Sequence, residues 1–251
     1  MPANTFNQLT DIYEAMIDWP KRLAAEEPFY RRWFQHAGVK RVVDAACGTG
    51  HHAAMFHGWG LEVEAADLSP AMIEHARAAF GEPPGLHWAV RGFDEPIPAA
   101  GSWDAVVCVG NSLALAPDRA TVHTAVARMM AALRPGGVLL VHVLNLWRLP
   151  DGPCIWQKCL RSRLPQGDVL ITKGVHRCDR RGYVELVVAD PSGGPLLAHE
   201  SPQFLGLESS ELEAMARQAG AAQVQLFGGY MGQPYDRNAS VDLVMTATQA
   251  R

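Results

Sequence analysis

The run Val42-Val43-Asp44 leads into Ala45-Ala46-Cys47-Gly48-Thr49-Gly50, a Gly-rich turn between an apolar stretch and a helix-like one. Glycines at Gly48 and Gly50 let the backbone approach a ligand closely, and the first N–H groups of the following helix are free to meet it. Asp67 follows Asp44 by 23 positions and ends the next apolar run, Leu61 to Ala66. A carboxylate at the tip of a second parallel strand is placed to accept both hydroxyls of a ribose. Loop and acid together predict a site for a nucleoside-containing ligand. His142, near the carboxyl end of a later strand, is the titratable group best placed to act as a base. Cys154, Cys159, His176 and Cys178 are zinc-type ligands, but they form no Cys-x-x-Cys pair and no metal site is expected from them. His51 and His52 open the helix after the loop and read as helix-surface histidines.

The elements that must position these residues follow from periodicity. Short apolar runs at Val39 to Ala45, Leu61 to Ala66, Trp103 to Val109 and Val138 to Leu144 alternate with longer helix-like segments. Strand and helix in alternation predict an α/β, doubly wound, mostly parallel sheet. Ser69 with Pro70 starts one helix and Gly81 ends it. Residues Phe6 to Ala37 read as two helical runs broken at Pro20, which makes residues 1–38 an N-terminal helical cap and 39–251 the main domain. Within that domain Val169 to Val175, Tyr183 to Asp190 and Leu196 to Leu205 are strand-like with no helix between them, predicting an antiparallel insertion over 147–206. Ser209 reads as the cap of a helix to Ala219, and Val224 to Phe227 and Ser240 to Thr246 as closing strands.

The 251 residues are 48% hydrophobic, enough for a sizeable core and too apolar for a disordered chain. Lys and Arg number 22 against 26 Asp and Glu, a net charge of −4 with no basic block, which argues against a nucleic-acid partner. The longest apolar stretches are strand-sized, so no membrane partner is expected. Residues Met1 to Thr10 lack the basic and apolar regions of a secretory leader, and five scattered cysteines suit reduced thiols, which predicts a cytoplasmic location.

Two nucleoside ligands suit the loop: a dinucleotide and S-adenosyl-L-methionine (SAM). Ala53, three after Gly50, loosely completes a dinucleotide fingerprint, but Asp44 is no part of one. The string Asp44 to Gly50 instead resembles the first motif of class I SAM-dependent methyltransferases. Asp67 resembles that class's ribose-binding acid, Ala105 to Ser112 its fourth strand and loop, and Leu133-Arg134-Pro135-Gly136-Gly137 the turn before its fifth strand. The Ala-Cys-Gly-Thr-Gly and Gly-Asn-Ser strings, the tyrosine-bearing first helix and the insertion are most similar to the glycine and sarcosine N-methyltransferase branch.

The resemblance implies a Rossmann-like methyltransferase fold with a seven-stranded sheet. It implies SAM as cofactor, held by Arg22, Ala46, Cys47, Gly48, Gly50, Asp67, Leu68, Met72, Gly92, Phe93, Asp94, Val109 and Asn111. It further implies a small-molecule acceptor whose amine or hydroxyl takes the methyl group, under a lid made by the cap and the insertion. Tyr13 would sit near the sulfonium and His142 near the acceptor, with Asn111, Leu144, Asn145, Tyr230 and Tyr235 lining the acceptor side. Two departures stand out. Phe93 follows Gly92 where the class often places an Asp for the adenine amine, which turns that contact to backbone, the Phe93 ring or Asp94. Leu144 precedes Asn145 where the glycine-methylating branch has an arginine for the substrate carboxylate, which speaks against glycine as acceptor. The alternatives are an NAD-dependent oxidoreductase on the same sheet and a SAM-binding protein without turnover.

Overall fold

The computed structural model describes residues 3–164, 167–194 and 196–250. Two helices come first, α1 (Ala3–Met16) and α2 (Trp19–Ala37). The break falls at Ile17 and Asp18, two residues earlier than Pro20 suggested. Asp18 caps α2 by accepting from the Lys21 N–H, and Pro20 sits in the first turn, where a missing N–H costs nothing.

Five parallel strands follow: β1 (Arg41–Asp44), β2 (Glu62–Asp67), β3 (Leu86–Val90), β4 (Trp103–Cys108) and β5 (Leu133–Leu144). Between them run α3 (His51–Gly58), α4 (Pro70–Phe80) and α5 (Arg119–Ala132). The chain then builds a separate antiparallel sheet from β6 (Ile155–Leu164), β7 (Gly167–Cys178), β8 (Arg181–Ala189), β9 (Leu196–Glu200) and β10 (Gln203–Leu205). It returns through α6 (Ser209–Gln218), β11 (Ala221–Phe227) and β12 (Asp242–Gln249) to close a seven-stranded sheet of order β3-β2-β1-β4-β5-β12-β11. β12 runs antiparallel to both neighbours. The cap of α6 is Glu208 rather than Ser209: Glu208 and Glu211 each accept from the other's backbone N–H, a reciprocal capping box.

Alternating residues bury both faces of the main sheet, as helices on each side demand. Val43, Val106, Leu139 and Val141 pack with Val122 and Met129 of α5 and Leu212 of α6. Val42, Val63, Val107 and Leu140 pack with Phe56 of α3, Ile73 of α4, and Phe29 and Tyr30 of α2. A third cluster seats Ile12 of α1 on Leu164, Val169, Ile171, Leu186 and Val188 of the antiparallel sheet. The cap and the second sheet thus meet each other as well as the main domain. Among the described residues no helix is long and apolar enough to cross a membrane, and no cluster of three or more His, Cys, Asp or Glu could hold a metal ion.

Candidate active site

A cavity of about 610 Å³ opens at the carboxyl ends of β1, β2, β3 and β4. The turn after β1 contributes Ala45, Ala46, Cys47 and Gly48, the tip of β2 Asp67 and Leu68, and α4 Met72. Gly92, Phe93, Asp94 and Glu95 follow β3, while Val109, Gly110, Ser112 and Leu115 follow β4. Tyr13, Trp19 and Arg22 cover it from the cap, His52 lines it from α3 and Thr121 from α5.

The turn is built by its glycines. Gly48 (φ +54) and Gly50 (φ +90) both take left-handed backbone, which a β-carbon disfavours. The Gly48 N–H donates to Asp67 Oδ2 and the Ser69 N–H to Asp67 Oδ1, each at 2.9 Å, so the carboxylate is fixed by backbone on both oxygens. Burial raises the pKa of Asp67. Behind the turn, Asp44 is fully buried with neither oxygen in a well-formed hydrogen bond, and burial pushes its pKa up to about 7. Gly50 does not face the cavity: a β-carbon there would meet the Trp88 ring at 2.6 Å and Ala76 Cβ at 2.9 Å. A β-carbon on Gly48 would meet only the Tyr13 side chain, its hydroxyl at 3.7 Å and a ring carbon at 3.8 Å. Burial raises the Tyr13 pKa to about 12, partly offset by the charge of Arg22.

The opposite wall is cationic and held by a buried hub. Arg22 Nε donates to Glu26 Oε1 at 2.8 Å, and its guanidinium lies 5.2 Å from the Trp19 ring. Glu26, 5% exposed, turns its other oxygen to His52 Nε2 at 2.7 Å and to the Tyr30 hydroxyl, which donates at 3.2 Å. Burial alone would raise the Glu26 pKa, but His52 and Arg22 together hold it at about 2. The contact of Glu26 with His52, which buries that histidine, is not legible from spacing, because the partners are 26 residues apart on different helices. The surface reading of both histidines is corrected: His52 is 4% exposed, and His51 stacks on the Trp19 ring and faces Glu14 Oε2 at 3.0 Å.

Several residues expected at the site lie beside it. His142 Nδ1 accepts from the Gly110 N–H at 3.1 Å, and Nε2 lies 3.1 Å from Asp242 Oδ1. Nδ1 thus holds the Gly110 turn, while Nε2 is buried beside Asp242 without a well-formed hydrogen bond. Asn111 accepts from the Leu144 N–H through Oδ1 at 2.9 Å, and the Leu144 side chain packs against the α5-side core. Asn145 donates to the carbonyls of Arg237 and Ser240 and accepts from the Tyr235 hydroxyl at 3.0 Å, which makes it a clamp on the loop before β12. Tyr230 packs on Phe29, Tyr30 and His142. None of these side chains is among the described residues that line the cavity.

The sheet order, the Gly-rich first turn and the acid fixed at the tip of the second strand define the class I SAM-dependent methyltransferase fold, and residues 42–137 match a family model described as a methyltransferase domain. The chain is 32% identical over 149 residues to the glycine/sarcosine N-methyltransferase of Parasynechococcus marenigrum (strain WH8102), covering 57% of this chain and 51% of that one. It is 29% identical over 196 residues to the glycine N-methyltransferase of Oryctolagus cuniculus, covering 67% and 66%. The match therefore spans between half and two thirds of those relatives' length. In structure it is similar to CalS10, an amino pentose methyltransferase from Micromonospora echinaspora solved with SAM bound, at a TM-score of 0.73 and 24% identity over 95% of this chain and 97% of that one.

Proposed function

We propose that this protein transfers a methyl group from SAM to a small-molecule acceptor, with an amine nitrogen as first choice and a hydroxyl oxygen as second. The observation that carries the reading is the pairing of opposite ends in one cavity: Asp67, fixed by two backbone N–H groups, and Arg22, fixed by Glu26. Asp67 has lone pairs left for two ribose hydroxyls, and Arg22 carries a guanidinium for an amino-acid carboxylate. Gly48 keeps the floor between them free of a side chain, with Tyr13 above it. Leu68, Met72 and Phe93 supply apolar surface for a flat base. Burial holds the Asp44 carboxyl behind the floor at a pKa of about 7, and a cation bound in front of it would favour its ionised form. These residues fit the cofactor.

When bound, SAM supplies a methyl group on a positively charged sulfur, already open to attack by a lone pair. The chain's task is then alignment and exclusion of water rather than covalent chemistry. Tyr13 and Trp19 close the cavity from the cap, and His142 holds Gly110 where the acceptor side begins. The names of the relatives, N-methyltransferases of glycine and sarcosine and a methyltransferase of an amino pentose, support nitrogen as acceptor. Leu144 leaves strand five without a cation at its end, which disfavours glycine itself.

Thermal shift tests the reading. SAM and its demethylated product S-adenosylhomocysteine should raise the melting temperature while NAD does not. Asp67→Ala should weaken SAM binding by roughly 1.5 to 3 kcal/mol, the range for hydrogen bonds to a charged group. Stabilisation by NAD alone would favour the oxidoreductase, and unchanged SAM affinity in Asp67→Ala would remove the ribose assignment. SAM binding without methylation of any amine or alcohol would leave a binding protein.

A further inference from the structure

One face of the antiparallel sheet turns toward the cap. Along β7, Val169, Ile171, Lys173 and Val175 share that face by period-two alternation. Val169 and Ile171 join Ile12 of α1 in one cluster, and Val175 joins the cluster that holds Leu146 and Leu149 at the end of β5. Lys173 stands between the two, its ammonium on an otherwise apolar inner face. Its cross-strand partner on β6 is Lys158, and on β8 it is Leu186. Two lysines directly opposite each other destabilise an antiparallel pair.

The two lysines are not equivalent. Lys158 Nζ donates to the Met16 carbonyl at 2.7 Å, at the C-terminus of α1, where a cation is favoured. The Lys173 ammonium makes no hydrogen bond or ion pair among the described residues, although its backbone pairs in the ladder of β7. Burial lowers its pKa, and the charges of Lys158 and Arg22 lower it further. Lys173 is not itself part of the cavity lining; the face of β7 that carries it packs on Ile12 of α1, next to Tyr13 of that lining. A half-buried ammonium with two cations around it and no anion is an unfavourable arrangement in the free protein. A ligand with a negative charge would make it favourable.

We propose that Lys173, opposite Lys158 on the face of β7 that meets the cap, anchors an anionic group on the methyl acceptor, so that the acceptor is an amine that also carries a carboxylate or phosphate. The proposal rests on the methyl-transfer reading above and places the acid under the antiparallel sheet rather than at Leu144. It accounts for an apolar residue at the end of strand five together with a cation on the lid.

Calorimetry on protein saturated with S-adenosylhomocysteine, at low ionic strength, tests it with matched probes: phenylalanine against phenylalaninamide, and glucosamine 6-phosphate against glucosamine. At least one anionic member should bind tenfold or more tightly than its neutral twin, and which pair responds separates carboxylate from phosphate. The preference should vanish in Lys173→Met and survive in Lys173→Arg, and Lys173→Met should melt at a higher temperature than the wild type. If neither anionic probe outbinds its twin, or Lys173→Met keeps the full preference, the proposal is wrong. A lower melting temperature for Lys173→Met would also overturn it, since the ammonium would then be stabilised within the fold. Failure of S-adenosylhomocysteine to bind the wild type would instead count against the methyl-transfer reading, and the probes would then be compared on the protein alone.

Discussion

Glu26→Ala is expected to destabilise the fold by about 3 to 5 kcal/mol, the range for removing one partner of a buried ion pair. Glu26 is the only acid that Arg22 touches among the described residues, and it also faces His52 Nε2 and the Tyr30 hydroxyl. Deleting it strands a guanidinium and an imidazole in the interface between α2 and α3. The same hub predicts a pH dependence. With a folded pKa of about 2 against an ordinary 4.5, Glu26 contributes stability that is present above about pH 4.5 and lost as pH falls toward 2. That depression corresponds to about 3 kcal/mol. Urea titrations of wild type and variant at pH 7 and at steps between pH 5 and 3 would measure both effects. A variant within about 1 kcal/mol of the wild type at pH 7, or one with an equally steep loss below pH 4.5, would show that the hub does not hold the cap.

The two glycines of the first turn should separate fold from site. In Gly50→Val the new β-carbon falls 2.6 Å from the Trp88 ring in left-handed backbone, so overpacking and strain add to about 3 to 5 kcal/mol. In Gly48→Val the β-carbon finds only the Tyr13 side chain, at 3.7 to 3.8 Å. The fold should survive with a loss of about 1 to 2 kcal/mol from backbone strain. The valine methyls would, however, occupy the floor between Tyr13 and Asp67, and SAM affinity should fall more than it does in Asp67→Ala. Melting curves and SAM calorimetry on the two variants check the contrast. A stable Gly50→Val, or a folded Gly48→Val that binds SAM normally, would reverse the assignment.

What was legible in the chain was contiguous. The stretch Val42 to Gly50 is a strand, a turn and a helix start in nine residues, and its apolar run and glycines carry the information locally. Two strands escaped notice for a physical reason. β3 is five residues long with His87 exposed, and β6 carries Lys158, Arg161 and Arg163 because it is the outer edge of its sheet. Charges on an edge strand guard against pairing with other chains and erase the apolar signature. The second tier of the site was legible only in part, since Arg22 and Glu26 are four residues apart on α2 but His52 joins them only after α2 packs on α3. His142 shows the limit most clearly. Its position at the end of β5 was readable, but the direction of its ring depends on Asp242, which arrives from β12.

The place of β12 has a further consequence, for how the chain is made. Strand β5 is buried continuously from Gly137's neighbour Val138 through Val143, and its outer edge pairs only with Asp242–Gln249, roughly 100 residues downstream. At about 5 to 20 residues per second, the ribosome needs on the order of 5 to 20 seconds to deliver that partner. Throughout that interval a long apolar strand edge stays open in a half-made domain, the kind of surface on which nascent chains aggregate. Slowing translation across the segment that encodes the antiparallel sheet should therefore lower the yield of native protein, and holdase chaperones that cover strand edges should restore it.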